Sequence, residues 1–550
     1  MESVMSRALV RNASNHLHRL NLAEILSETP IMTSARLLRI TLLPVFVVIF
    51  FSPATARQAP LPGLDEYVAR ALKNWECPGL AIGIVKGDEA LHTKGYGVRK
   101  IGTSEAIDER TVFGIASCSK AFTATSIAML VEEEKIKWND PVANYLKGFQ
   151  LYDPYVTREI AVRDLLCHRS GLPAYGGDFI WWGSSRSREE TLNRIRFVKP
   201  ASSFRSTYAY QNIMFLAAGQ IIPVVTGKTW DEFVKERIFV PLGMSSSTTR
   251  FDDLKGVTDL ATPHMRIEGK TVPIAWRNID NGGPAASINS NVADLTQWMI
   301  LHLGSGTYRG RKIFSPGVSH EMFSPQTIIP VTPPAPPLPA FLKPNFSAYG
   351  LGWSISEFRG RKIVRHYGET DGMSSVVALL PQEKLGVVIL TNLHTTTLHT
   401  ALLYRIFDGM LNAPTEDWSA HYLQLRKEAE DRDRDQEKQL RESRVKGTSP
   451  THPLPEYTGT YRNTTYGDAM VVEENGRLVV RLIPSPTFVG DLDHWHYDTF
   501  RSKWRDPVAG TEFVTFRLDH SGRISEMILK VDNFIDYSEY AFQRVKTQDR

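Results

Sequence analysis

The sequence predicts an α/β (α+β) domain, an antiparallel sheet flanked by helices, followed by a small all-β barrel-like domain. Three observations carry that reading. Strand-like runs near residues 80–97 and again near 350–392 bracket a long helical middle, the pattern of one sheet closed from both chain ends. A stretch over 418–445, rich in Glu, Arg, Asp, Gln and Lys, breaks that pattern. Beyond it, 457–545 is almost wholly alternating strand rhythm.

The elements follow in chain order. A helix over 64–75 leads to Pro78-Gly79, and residues 80–85 and 90–97 read as two strands joined by Lys86-Gly87-Asp88. Residues 121–131 are predominantly apolar and free of Gly and Pro, as in a core helix. Further helices are expected over 191–197, 210–226, 230–238 and 291–303. Strands are expected over 350–355, 362–366, 374–380 and 386–392, with turn-like Arg359-Gly360-Arg361 and Pro381-Gln382-Glu383-Lys384 between them. The Pro-rich 330–344 reads as a surface loop. The charged stretch reads as a connector helix docked at one end through Tyr422, Leu423 and Leu425, with 447–453 as a hinge. In the last domain Glu474-Asn475-Gly476 reads as a hairpin turn. The expected units are a leader at 1–57, the sheet-and-helix domain at 58–412, connector and hinge at 413–452, and the barrel-like domain at 453–550.

A chain of 550 residues, 42% hydrophobic and 23% charged, holds at least one sizeable core. Its net charge of +4 is small, and no basic stripe interleaves with aromatics, so nucleic acid is not an expected partner. Three cysteines are too few for a disulfide framework. With no Cys-x-x-Cys and no His-Glu-x-x-His, neither a metal nor a cofactor is expected. From Met32, a candidate true start, the chain reads as a basic region, an apolar run over 40–51, and Ala54-Thr55-Ala56. Those are the parts of a secretory signal cleaved near Ala56, which implies a secreted or periplasmic protein. An uncleaved membrane anchor is the alternative.

Chemistry concentrates at Ser117-Cys118-Ser119-Lys120, at the mouth of the 121–131 helix. Three residues apart on a helix, the Ser117 hydroxyl and the Lys120 amine are neighbours, an arrangement that activates a serine. Roughly a couple of Ser-x-x-Lys matches arise by chance in a chain this long, so context must decide. Tyr208-Ala209-Tyr210-Gln211-Asn212 opens an apolar helix and can bring Tyr210, as a proton acceptor, and Asn212, as a substrate partner, beside the serine. Tyr210 would need a cation such as Lys120 to act as a base, because a free tyrosine titrates near 10. A buried tyrosine and a helix cap are the plain readings of those two residues. His366-Tyr367-Gly368 ends a predicted strand. There Gly368 admits close approach of an extended substrate, and His366 can orient or polarise reacting groups. The amides of Ser117 and Glu369 can form an oxyanion hole. The 167–173 segment, Cys167-His168-Arg169-Ser170-Gly171-Leu172-Pro173, reads as a structural turn, and Cys118 as a small buried apolar residue.

In this order, Ser117-Cys118-Ser119-Lys120, Tyr210-Gln211-Asn212 and His366-Tyr367-Gly368 resemble the serine β-lactamase/DD-peptidase family, notably its class C enzymes and their esterase and peptidase relatives. Asn139-Asp140-Pro141-Val142, the 166–173 segment and Pro241-Leu242-Gly243-Met244 extend the resemblance over roughly 60–410. The tail, through Tyr457-Thr458-Gly459-Thr460-Tyr461, resembles the lipocalin-like domain appended to some of these hydrolases. The resemblance implies a β-lactamase/transpeptidase-like fold and an acyl-enzyme on Ser117, with Lys120 and Tyr210 sharing the proton traffic and Asn212 holding a substrate carbonyl or amide. His366 stands where penicillin-recognising members have the lysine of Lys-Thr-Gly, and a neutral imidazole binds a carboxylate less well. Glu369 adds a negative charge nearby. The expected activity is therefore hydrolysis of an ester, amide or peptide without a free terminal carboxylate, by a protein that can form homo-oligomers. The alternatives are a catalytically silent binding or extracellular-matrix protein, and a D-Ala carboxypeptidase or β-lactamase.

Overall fold

The computed structural model describes residues 61–546. The expected leader and signal segment lie outside the described residues. Helix α1 (Leu64–Trp75) buries Leu64, Tyr67, Val68, Ala71 and Trp75, one stripe at helical spacing, and stops where Glu76 turns left-handed. Strands β1 (Gly79–Lys86) and β2 (Glu89–Gly97) form the expected hairpin.

One eight-stranded sheet follows. Its remaining strands are β3 (Thr327–Ile328), β4 (Ala348–Tyr349), β5 (Ser354–Phe358), β6 (Arg361–Thr370), β7 (Met373–Leu380) and β8 (Leu385–Thr391). The order is β2-β1-β8-β7-β6-β5-β4-β3, so β1 pairs with β8 and the sheet is closed from both ends of the domain. The strand period of two sends β1 to two cores. Ala81 and Val85 face the core of helices α2 (Ser119–Glu132), α3 (Asn212–Thr226) and α4 (Val292–Leu303). Leu80, Ile82 and Ile84 face the core of α1 and α5 (Leu398–Met410).

Two details differ from the sequence reading. Residues 350–353 are not strand; extended pairing begins at Ser354. Strand β6 does not end at His366-Tyr367-Gly368 but continues to Thr370, because β7 pairs with it through Gly368↔Ser375 and Thr370↔Met373. That puts the tripeptide inside a sheet.

Helix α6 (Trp418–Glu442) buries Trp418 against α5 and carries Glu437, which forms a two-pronged pair with Arg501. It is therefore tied to both domains, not docked at one end. Strands β9 (Gly459–Asn463), β10 (Gly467–Glu474), β11 (Arg477–Leu482), β12 (Val489–His496), β13 (Thr499–Trp504), β14 (Thr511–Leu518), β15 (Ile524–Lys530) and β16 (Glu539–Arg544) form a closed up-and-down barrel. Its β10–β11 turn has Asn475 and Gly476 both at positive φ, the hairpin geometry that this dipeptide favours. Closure leaves the barrel no free sheet edge. The barrel packs on the first domain: Phe179 stacks on Tyr466 at 4.2 Å, and Arg277 joins Asp371 of one domain to Asp506 of the other.

Candidate active site

Ser117 sits on a single 3₁₀ turn (Ala116–Cys118) that runs straight into α2. Ala116 has φ +47°, a strained conformation for a residue with a side chain. The turn is held from below: Ile115 N–H donates to the Ile288 carbonyl at 2.9 Å, and Ile288 N–H donates to Ser119 Oγ at 3.0 Å. One turn on, Lys120 is wholly buried. Its Nζ lies 2.9 Å from Ser117 Oγ, 2.6 Å from Asn212 Oδ1 and 3.0 Å from the Ala285 carbonyl.

Those three contacts suit a neutral amine. A neutral amine has two hydrogens, which Asn212 Oδ1 and the Ala285 carbonyl accept, and one lone pair, which is left facing the serine hydroxyl. Burial pulls Lys120 down to about 7 from its ordinary 10.5, against the opposing charge of Asp178. A substantial neutral fraction is therefore present near neutral pH.

Tyr210 lies in the extended residues before α3, which starts at Asn212. Its ring centroid is 4.8 Å from Lys120 Nζ and its hydroxyl bonds with Ser117. Burial among Tyr175 and Tyr208 drives its pKa well above 10, so it remains a phenol. The phenolate expected from the sequence is not favoured here: desolvation dominates, reinforced by Tyr175, and the neutral phenol keeps a proton it can donate.

Asn212 lines the cavity but already engages part of its amide inside the protein. Its Oδ1 is taken by Lys120 and its Nδ2 donates to Asp178 Oδ2, so it orients the lysine. His366 is saturated. Nδ1–H donates to the Tyr367 carbonyl at 2.6 Å, and Nε2 accepts from the Tyr349 hydroxyl at 2.7 Å. Burial lowers its pKa to about 3, so the ring is neutral and both nitrogens are engaged. Gly368 is required by the protein's own packing, since a Cβ there would meet the Ile115 carbonyl at 2.1 Å. This close approach sets β6 directly against the nucleophile turn. Glu369 carries less charge than the sequence suggests: burial raises it to about 8 and Ser374 Oγ donates to it at 2.7 Å. Cys118 is buried beneath the turn and its thiol is pushed up to about 12.

Two residues were missed. Asp178, on the loop after Gly177, is buried with Oδ1 accepting from Trp181 Nε1 at 2.9 Å and Oδ2 from Asn212. Burial raises it to about 7. Asp178 and Lys120 are thus a buried acid and base joined through one amide. His168, in the segment read as a structural turn, packs against Tyr210 with ring centroids 4.2 Å apart and planes inclined by 33°, and its Nδ1 accepts from Gln211 N–H at 2.9 Å. Neither had a sequence signature: Asp178 is a lone Asp after a glycine, and His168 meets Tyr210 only in the folded chain.

Ser117 opens into a cavity of about 630 Å³ walled by Trp182, Tyr208, Tyr210 and Glu369, and by Phe534 and Tyr537 of the barrel. No lysine or arginine lines it among the described residues. A larger crevice, about 910 Å³, lies around Arg277 at the domain boundary and does not include Ser117.

The sequence profile of the Beta-lactamase family matches residues 64–410. The chain belongs to that family. Residues 443–544 match a second profile, described as a domain of unknown function (DUF3471). This β-lactamase-family chain is 30% identical over 440 residues to the unguisins hydrolase ungD' of Aspergillus campestris, covering 75% of itself and 78% of that protein. It is 27% identical to penicillin-binding protein 4 of Amycolatopsis lactamdurans, over 61% of itself and 86% of that protein. The octameric penicillin-binding protein homologue of Pyrococcus abyssi shares the fold, at TM-score 0.56 and 20% identity, over 88% of this chain and 99% of that one. Family and relatives make this β-lactamase-family protein a serine hydrolase.

Proposed function

We propose that the protein hydrolyses an ester or amide bond of an apolar or aromatic substrate, through an acyl-enzyme on Ser117. The observation that carries this is the Lys120 amine, 2.9 Å from Ser117 Oγ with its two remaining hydrogens already placed. Lys120 takes the hydroxyl proton as Oγ bonds to the substrate carbonyl carbon. The amides of Ser117 and Glu369 hold the oxyanion. Collapse expels the leaving group, which takes a proton from the Tyr210 phenol, and Lys120 returns one to Tyr210. Water then attacks the acyl carbonyl carbon, giving a proton to Lys120; collapse breaks the Oγ–carbon bond, Lys120 returns that proton to Ser117 Oγ, and the acid product leaves.

The cavity supports the substrate class. Its aromatic walls suit apolar acyl groups, and with no cation on its surface it offers a free terminal carboxylate no partner. Leader residues 32–56 support export, which N-terminal sequencing of the protein recovered outside the cell tests. Self-association is tested by light scattering of the full chain.

The test is a panel of chromogenic esters, a cephalosporin and D-Ala peptides, with fluorophosphonate labelling of wild type and Ser117→Ala. Turnover of the esters and labelling lost in Ser117→Ala support the reading. Folded wild-type protein that neither labels nor turns over any substrate refutes it, and faster turnover of D-Ala peptides or cephalosporin moves the assignment to the carboxylate-recognising alternatives.

A further inference from the structure

The catalytic loop is not held by the catalytic domain alone. Between β15 and β16 the barrel extends residues 531–538 toward the cavity, and Asp536 there is wholly buried. Its Oδ2 accepts from Gly177 N–H at 3.0 Å, from Phe179 N–H at 3.3 Å and from the Tyr540 hydroxyl at 2.6 Å. Its Oδ1 accepts from Ser538 N–H at 2.8 Å. Every contact is a donor to it, as suits a carboxylate. Two of those donors are the backbone amides on either side of Asp178. The turn they belong to starts at Gly177, φ +91°, and its own bonds (Asp178 N–H to the Tyr175 carbonyl and Ile180 N–H to the Gly177 carbonyl, both 2.9 Å) leave the amides of 177 and 179 for Asp536. Neighbouring Tyr537 packs edge-on against Tyr175 at 5.4 Å, and Phe534 against Trp182 at 5.5 Å, so this segment is also a wall of the cavity.

An unbroken chain of contacts therefore runs from the barrel to the nucleophile. It passes from Asp536 to the amides of 177 and 179, from the Asp178 carboxyl to Asn212, from Asn212 to Lys120, and from Lys120 to Ser117. We propose that Asp536, on the barrel, is a positioning residue for the hydrolase: it fixes the 177–179 turn and thereby keeps Asp178 on Asn212 and Lys120 on Ser117. The barrel is then part of the working site and not only a cover over it. This rests on the assignment of Ser117 and Lys120 given above.

Charge enters as well as position. Asp178 faces Lys120, Asp536, Trp181 and Asn212, with the phenols of Tyr175, Tyr210 and Tyr540 around it. Lys120 faces Asp178, Cys118, His168, His366 and Tyr210. Burial pushes Asp536 up, against the hydrogen bonds from Tyr540, Ser538 and Phe179; in its charged form it repels Asp178 and favours the neutral acid there. Removing the Asp536 charge eases ionisation of Asp178, which in turn holds a proton on Lys120.

The test is hydrolysis of p-nitrophenyl acetate by the full chain, read from about pH 5 to about pH 10, for wild type, Asp536→Ala, Asp536→Asn and Ser117→Ala. Asp536→Ala is expected to lose about tenfold or more in kcat with KM within about threefold, because the turn loses its anchor. Asp536→Asn keeps an oxygen for the two amides. It should recover the plateau to within about threefold while its acid limb moves to higher pH. A folded Asp536→Ala with the wild-type kcat and pH profile overturns the proposal, as do equal losses in both variants without a shifted limb. If Asp536→Ala fails to fold, Asp536→Asn decides alone: a shifted limb supports, an unshifted one refutes. Activity surviving in Ser117→Ala would instead break the nucleophile assignment, which separates the two failures.

Discussion

Asp164 and Asp178 are both buried aspartates on the stretch leading to the active site, yet they face opposite partners. Asp164 meets its cations directly: Arg169 Nε is 2.6 Å from Oδ1, Arg205 donates to Oδ2 at 2.6 Å, and Ala161 N–H caps the same oxygen at 2.9 Å. Asp178 meets its cation only through the amide of Asn212. A guanidinium does not release its proton, so Asp164 is part of a fixed scaffold. An amine one amide away does release its proton, so Asp178 and Lys120 can trade charge states. Placing an amide between acid and base converts a structural ion pair into chemistry.

The largest effect should come from removing the base. Lys120→Met is expected to cut kcat/KM by about 10³-fold, measured by steady-state ester hydrolysis, with the fold intact by circular dichroism. Retained activity would mean that another group deprotonates Ser117. The scaffold side is tested by Asp164→Ala, which strands Arg169 and half-exposed Arg205 and should cost about 3 kcal/mol in urea unfolding. A change within experimental error would show that direct pairing at Asp164 contributes no more than a surface bridge.

A smaller change should follow from Asp178→Asn. It removes the negative neighbour that favours protonated Lys120, so the acid limb of kcat/KM should move to lower pH, with an activity loss of about tenfold from the altered network. An upward shift would reverse the proposed coupling. Smallest is Glu369→Gln. Glu369 is held at about 8 in the folded chain against an ordinary 4.5, so the folded state keeps a proton that the unfolded chain has lost across that window. Stability therefore falls as pH rises through it. Glu369→Gln should raise the melting temperature above pH 8 and leave it unchanged below 4.5, by differential scanning calorimetry.

Much of the fold was legible because its signals are local. The apolar run at 80–85, the charged stretch at 418–445 and the Asn475-Gly476 turn each specify their own conformation, and the sheet order follows once β1 and β8 are both recognised as central strands. The site was legible only in part. Ser117 and Lys120 share one helical turn, so their meeting is built into a four-residue motif. His366 and Gly368 were recognised as members of the site, but their contacts with Tyr349 and Ile115 depend on pairing between distant elements.

Local spacing by itself determined a sheet-and-helix domain, a following β domain, and a serine–lysine pair; the hydrolase reading came with the family resemblance those motifs carry. Only the tertiary structure decided the state of that pair. Burial sets the charge of Lys120, Tyr210 and Glu369, and burial is a property of everything packed around a residue. Asp178 and Asp536, far apart in the chain, become neighbours only when the barrel closes on the catalytic domain. Periodicity is written in short windows of sequence; desolvation and long-range hydrogen bonds exist only once the chain has folded.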